Sequence, residues 1–215
     1  MEGNQNTDRR GMMIVLSSPS GAGKTSLSRE LLKENKNLFL SISHTTRPPR
    51  SLEINENDYF FVSDEKFIEM LNQGEFLEHA KVFGNYYGST KSKVIERLMK
   101  GENVIFDIDW QGTEQIKKKS LNYKLITFFI LPPSKTELFN RLKKRDIKDK
   151  NIVEERMKQF NKDINHWENY DFVVINDSID RCYKEIIQLI NKKIEKSDYS
   201  FDKKNIQNHI VNLRG

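Results

Sequence analysis

Apolar positions along this chain fall into short continuous runs, separated by stretches in which they recur at helical spacing. That pattern predicts alternating strands and helices. Residues 12–16 predict a buried strand, and Leu27 and Leu31 behind it predict a helix reaching about Asn35. Residues 38–40 predict a second short strand. The run at 124–131 is nearly unbroken, as expected for a parallel strand covered on both faces. Pro132 and Pro133 close it, and Ser134 is placed to cap a helix over 135–144. Residues 103–108 and 172–175 predict two more strands. Helical spacing recurs at 91–100, 111–119, 152–167 and 180–193, with Gly101 at the position where a helix ends. The expected architecture is α/β, a parallel sheet with helices on both faces.

The stretch 43–90 departs from this alternation. Pro48 and Pro49 exclude a helix there, so Arg47 and Arg50 are expected on extended or turning backbone. Residues 51–58 are polar and turn-like, 59–62 predict a strand, and 64–71 a helix capped by Ser63 or Asp64. Residues 76–83 are strand-like with interruptions, and 84–88 predict a turn. A small mixed insertion describes this region better than another repeat. Residues 1–10 are polar and expected to be a disordered tail. Residues 194–215 form a polar extension with a weak helical pattern at Ile206, Ile210 and Leu213.

Chemistry enters at the first strand-to-helix junction, Ser18-Pro19-Ser20-Gly21-Ala22-Gly23-Lys24-Thr25. A polyphosphate requires several backbone N–H donors aimed inward, and Gly21 and Gly23 permit the backbone that does this. Lys24 is then placed to reach the β and γ phosphates, and Thr25 offers a hydroxyl to Mg²⁺. The helix that follows directs its positive dipole end at the anion. The strict pattern has glycine first where this chain has Ser18. Strand, loop, Lys-Thr and helix nevertheless follow in the order a nucleoside triphosphate site requires.

The charge balance adds a bias rather than a function. A formal net charge of +5, with 31% charged residues, suits anionic partners. The basic residues are spread, however, and runs such as Lys117–Lys119 read as solvated helix faces. They are not interleaved with exposed aromatics, so nucleic acid is not expected as a partner. Cys182 is the sole cysteine, which excludes an internal disulfide and suits a reducing compartment. The four histidines show no metal-ligand spacing. The apolar run after the N-terminal tail is too short for a signal peptide or a membrane span, so a cytoplasmic protein is expected.

Arg47 and Arg50, taken as an isolated pair, read first as a solvated basic turn. Their company changes that reading. Residues 43–50, Asp58-Tyr59-Phe60-Phe61, Phe76-Leu77-Glu78-His79, Gly84-Asn85-Tyr86-Tyr87-Gly88-Ser89-Thr90 and Asp107-Ile108-Asp109-Trp110-Gln111-Gly112 together resemble the guanylate kinase family. The resemblance runs from about residue 12 to about 193, with the motifs in order.

It implies a P-loop nucleoside monophosphate kinase fold over 11–193. The core would comprise 11–42, 91–140 and 158–193, with a GMP-binding region at 43–90 and a helical lid at about 141–157. It implies the reaction ATP + GMP ⇌ ADP + GDP with Mg²⁺, GMP or dGMP being the acceptor. Arg47, Arg50, Tyr59 and Tyr87 match ligands of the GMP phosphate. Ser43, Glu78, Ser89 and Asp109 match contacts to guanine. Arg141, Arg145 and Arg156 match arginines that close on the transferred group, Asn176 a position near the adenine, and Asp107 one near metal and phosphates. Residue by residue, two simpler readings stay open. Asp107 serves equally as a helix N-cap, and Arg141 with Arg145, four apart, as one exposed helix face.

The chemistry asked of such residues is consistent. An acceptor phosphate is already an anion, so phosphoryl transfer to it needs positioning and charge neutralisation rather than a strong base. Two other classes share this fold, a peptide-binding module without catalysis and a kinase for another monophosphate. Gly21, Gly23, Lys24 and Thr25 argue against the first, and Glu78 with Ser43 argues for guanine against the second.

Overall fold

The strand Met13–Ser17 (β1) is buried along its whole length, as an unbroken apolar run predicts. It leads through a loop into α1 (Lys24–Glu34) and then β2 (Leu38–Leu40). The computed structural model describes residues 10–145, 150–197 and 202–215, without the side chains of Arg145 and Lys150. Most of the expected N-terminal tail, and 146–149 of the expected lid, therefore lie outside the described residues.

The chain continues through β3 (His44–Thr45), β4 (Phe60–Phe61), α2 (Asp64–Asn72), β5 (Phe76–Val82) and β6 (Asn85–Thr90). Next come α3 (Lys91–Met99), β7 (Asn103–Asp107), α4 (Trp110–Lys119), β8 (Leu125–Leu131) and α5 (Lys135–Arg145). It closes with α6 (Lys150–Asp163), a 3₁₀ stretch (Ile164–Asn169), β9 (Phe172–Ile175), α7 (Ile179–Ile194) and α8 (Lys203–Arg214). This is the α/β fold with a parallel sheet flanked by helices; the sheet order is β2-β7-β1-β8-β9.

The chain divides into two units. The first holds residues 10–15 and Asn35–Leu125. In it β2 pairs in parallel with β7, from Leu38 against Asn103 to Leu40 against Ile105. Leu77, Val94, Leu98, Val104, Phe106 and Ile116 pack into its main core. A smaller sheet, ordered β4-β3-β6-β5, occupies the stretch that broke the alternation. There β3 runs parallel to β4 and antiparallel to β6, and β5 runs antiparallel to β6. Phe67 of α2 stacks on Phe76 and Tyr86, which fixes that helix on the sheet.

Two sequence expectations change here. Residues 84–88 are not a turn: the reversal is confined to Phe83 and Gly84, and Val82 already pairs with Asn85. Positive φ at both residues (48° and 80°) gives the primed type of two-residue turn that suits strand twist. Polar Asn85–Thr90 becomes a strand because β6 lies between two partners, β3 and β5. The N-cap of α4 is Asp109, not Asp107, which ends β7.

The second unit holds Leu16–Glu34 and Ile126–Gly215. Its β8 and β9 pair in parallel, from Phe128 against Phe172 to Leu131 against Ile175. Phe129, Leu131, Leu138, Leu142, Phe160, Ile164 and Trp167 form its core. The helix expected to reach Trp167 tightens to 3₁₀ geometry from Ile164. The polar C-terminal extension is not loose: α8, capped by Asp202, buries Ile206, Ile210 and Leu213 in the same core. His209 contacts the Pro132 carbonyl at 2.9 Å, and Lys135 donates to the Arg214 carbonyl at 3.2 Å.

Candidate active site

In the second unit, the loop between β1 and α1 has the geometry its glycines suggested. Gly21 and Gly23 adopt φ of 89° and 99°, a region that disfavours side chains. Space is tight for them as well. A Cβ on Gly21 would press on Leu138 and Leu142, and one on Gly23 would overlap the Asn176 amide. The first turn of α1 carries no acidic residue, so nothing there offsets its positive end. Lys24 opens that helix and Thr25 follows, exposed at its start. Ser18, where glycine was expected, directs its hydroxyl to the Pro19 carbonyl at 2.9 Å.

Three side chains from elsewhere in this unit hold the loop. Asn176, 1% exposed, donates from Nδ2 to the Ala22 carbonyl at 2.8 Å. Arg141 donates to the same carbonyl at 3.4 Å, to the Asn176 carbonyl at 3.2 Å, and from Nε to Glu137 at 2.9 Å. Arg156, buried, donates to the Ser20 hydroxyl at 3.4 Å. So Arg141 is not one element of an exposed helix face. The side chain of Arg145, the third arginine expected here, lies outside the described residues.

The first unit gathers a second set. Arg47 forms a two-toothed pair with Glu53, Nη1 to Oε2 and Nη2 to Oε1, both at 2.9 Å. Arg50 donates to the same carboxylate from its backbone N–H at 2.8 Å and from Nη1 at 3.1 Å. Burial raises the pKa of Glu53, but the hydrogen bonds and charges of the two arginines outweigh it and hold the carboxyl below its usual value. Arg47 also lies over the rings of Tyr59 and Phe61, and Tyr59 meets Tyr87 edge-on at 6.1 Å. Burial, then the charge of Asp107, pushes the Tyr59 phenol above its ordinary range, so it is a hydrogen-bond donor at neutral pH. Glu53 was not foreseen. Its spacing of three from Arg50 was the available signal.

In the same unit, Glu78 on β5 is 2% exposed. It pairs across the sheet with Ser89, whose hydroxyl lies 3.4 Å from that of Ser43. A Cβ on Gly112 would lie 2.3 Å from the Glu78 Oε2, so the first turn of α4 passes directly over the carboxylate. The oxygens of Asp109 are engaged within α4, by the Gly112 N–H at 3.1 Å and the Gln111 amide at 2.9 Å. Among the described residues there is no group of three or more His, Cys, Asp or Glu able to hold a metal. Thr25 and Asp107 are oxygen donors, which suit Mg²⁺, an ion that takes one or two protein ligands and completes its shell with phosphate and water.

Comparison with known proteins sets these clusters in context. The sequence model described as guanylate kinase matches residues 10–193. The guanylate kinase of Novosphingobium aromaticivorans is 46% identical over 182 residues, 85% of this chain and 82% of its own length. That of Wolbachia pipientis wMel is 46% identical over 183 residues, covering 85% and 90%. Among solved structures, the guanylate kinase of Anaplasma phagocytophilum superposes with a TM-score of 0.72 at 32% identity, covering 86% of this chain and 87% of its own. The helix α8 falls outside the residues that the family model matches.

Proposed function

The chain belongs to the guanylate kinase family, and on that premise we propose that it transfers the γ-phosphoryl group of ATP to GMP, and to dGMP, giving ADP and GDP or dGDP. The observation that carries this reading is a buried carboxylate, Glu78, paired with Ser89 and near Ser43, in the same unit as two arginines gathered on Glu53. Guanine presents N1–H and its 2-amino group as adjacent donors and O6 as an acceptor. Glu78 accepts from both donors, while a hydroxyl of Ser43 or Ser89 donates to O6. Asp109 assists from its capping position at the start of α4. Adenine would set an unprotonated N1 against a buried carboxylate, and a site of this kind rejects such an analogue by roughly 10⁴–10⁵-fold.

The phosphate of GMP falls to Arg47, Arg50, Tyr59 and Tyr87. ATP falls to the loop Ser18–Thr25, with Lys24 on the transferred group and Asn176 toward the adenine. The attacking oxygen of GMP is already ionised, so the protein has no proton to remove before the new P–O bond forms. Its work is to align the two nucleotides, exclude water and balance charge, for which Lys24, Arg141, Arg145 and Arg156 supply the donor side. Thr25, at the start of α1, would hold Mg²⁺, which when bound neutralises phosphate charge. Arg141 and Arg156, already hydrogen-bonded to the loop at Ala22 and Ser20, are on hand when the phosphates arrive. On this reading the protein serves purine nucleotide metabolism, and its single cysteine suits the reducing cytoplasm.

The test is a coupled ADP-release assay offering GMP, dGMP, AMP, CMP and UMP in parallel, with and without Mg²⁺. Turnover confined to GMP and dGMP is expected. Comparable turnover with AMP, or parent-like kcat/KM for GMP in Glu78→Gln, would remove the assignment of Glu78 to the base.

A further inference from the structure

The residue taken to read the base does not sit on a regular strand. Phe76 pairs with Thr90 and Glu78 with Ser89, so β5 advances two residues where β6 advances one. Leu77 is the extra residue of a β-bulge, a device that re-aims a side chain and leaves part of the ladder unmatched. Without it Leu77 would stand opposite Ser89, and the carboxylate would be one position out of place. Directly paired residues share a sheet face, so the bulge sets Glu78 with Ser89, whose hydroxyl lies 3.4 Å from that of Ser43.

One face of α4 is fitted to this irregularity. Gly112, Gln115 and Lys119 follow the i, i+3, i+7 spacing that places them on one side of a helix. Each meets β5 at a different point. Gly112 gives the carboxylate room, as the forbidden Cβ shows. Gln115 clamps the backbone of His79 in both directions, accepting from its N–H at 3.1 Å and donating to its carbonyl. Lys119 directs Nζ to the carbonyls of Phe76, at 3.2 Å, and of Leu77. Those are the two carbonyls immediately before Glu78. The run of lysines at 117–119 reads in sequence as a solvated helix end, yet the ammonium of its last member is spent on the backbone of another strand. Desolvation lowers the pKa of Lys119, with Lys91 adding to the effect and Glu78 opposing it.

We propose that Lys119, supported by Gln115, is a positioning residue for nucleobase recognition: it holds the β5 bulge that presents Glu78 beside Ser89 and Ser43. The inference rests on the reading of Glu78 as the acceptor for guanine. It deepens that reading by naming what sets the aim of the carboxylate. Lys119 touches no substrate in this account. It acts through two carbonyls and one turn of backbone.

The experiment is a double-mutant cycle on GMP affinity, measured by calorimetry on the full chain, with ATP affinity as the internal control. Lys119→Met keeps the aliphatic stem and removes the ammonium. It is expected to weaken GMP binding about 10- to 100-fold, the scale of a 1 Å misplacement, and to leave ATP binding unchanged. Lys119→Arg should restore GMP binding to within about threefold, because a guanidinium can serve both carbonyls. In a Glu78→Gln background, Lys119→Met should add less than about threefold, since a carboxylate already lost has no aim to lose. If Glu78→Gln abolishes GMP binding while Lys119→Met leaves it intact, the positioning role is overturned and the base assignment stands. Additive losses, or equal weakening of GMP and ATP, would mean that Lys119 merely supports the fold, which also overturns it. Intact GMP binding in Glu78→Gln would defeat the base assignment and this inference together. Should Lys119→Met fail to fold, Gln115→Glu keeps the acceptor for the His79 N–H and removes the donor to its carbonyl. It should then show a smaller loss, about three- to tenfold, selective for GMP, and no loss would overturn the proposal.

Discussion

The two arginine clusters differ in how far their charge is turned toward carboxylates and how far toward backbone carbonyls and hydroxyls. In the first unit, Arg47 and Arg50 are gathered on one ionised carboxylate, Glu53, which is largely buried with Arg47. In the second unit, Arg141 pairs through Nε with the Glu137 carboxylate but turns its Nη groups to carbonyls of the loop and its support, Ala22 and Asn176, and Arg156 donates to the Ser20 hydroxyl. A carboxylate fixes two cations against mutual repulsion but neutralises part of their charge. Carbonyls and hydroxyls fix a cation and leave its charge intact. The first arrangement suits recognition of a phosphate that stays in place, and the second suits charge developing on a group in transfer. On the proposed function, positioning and electrostatic stabilisation would then fall to different parts of the chain.

The sharpest way to break this division is Lys24→Ala. It removes a preorganised charge from the loop and should lower turnover about 10²–10³-fold while GMP affinity stays near the parent value. Steady-state kinetics with a GMP titration separates the two quantities. A loss in GMP affinity matching the loss in turnover would erase the distinction between the regions.

Next in size is an effect on stability. Ile210 is fully buried in the core that also contains Leu138 and Leu142, the side chains against which Gly21 packs. Ile210→Ala should cost about 3 kcal/mol, the usual range for emptying such a site, and lower Tm by about 6–12 °C. ATP affinity should fall and GMP affinity hold, read by thermal melts and calorimetry. Unchanged stability would show that α8 is dispensable to the donor region.

A smaller effect sharpens the acceptor side. Glu53→Gln keeps the shape and removes the charge that gathers Arg47 and Arg50. KM for GMP should rise about tenfold, with KM for ATP unchanged, as expected for losing charge-assisted hydrogen bonds. A fall in KM would instead make Glu53 a competitor of the phosphate.

The smallest effect is one of pH. Burial, with the charge of Lys93 added, lowers the pKa of His44 to about 4. The ring stacks on Phe60 and is neutral in the folded state. A depressed pKa means that its contribution to stability is complete above the unfolded value of about 6.5 and is lost as pH falls toward 4. The loss should be on the order of 1 kcal/mol, allowing for the ring's partial exposure. His44→Leu should flatten the Tm profile between pH 6.5 and 4.5. An unaltered slope would place the acid sensitivity elsewhere, His79 being the next group to examine, since burial lowers its pKa as well.

Local sequence determined much of this molecule because the relevant physics is local. An apolar run followed by Gly21, Gly23, Lys24 and Thr25 specifies strand, loop and helix within a dozen residues, and no distant partner is needed to read it. The same holds for the alternation of strands and helices that announced a parallel sheet. What the sequence could not determine depends on partners far along the chain. Polar Asn85–Thr90 became a strand because β3 and β5 flank it, and pairing outweighed its composition. The weak apolar pattern at Ile206, Ile210 and Leu213 became core because α5 and the 3₁₀ stretch supplied something to bury it against. The bulge at Leu77 and the ammonium of Lys119 met across some forty residues of chain. Tertiary structure decided these points, since register, burial and the choice of hydrogen-bond partner are properties of pairs, and a residue read by itself carries half of a pair.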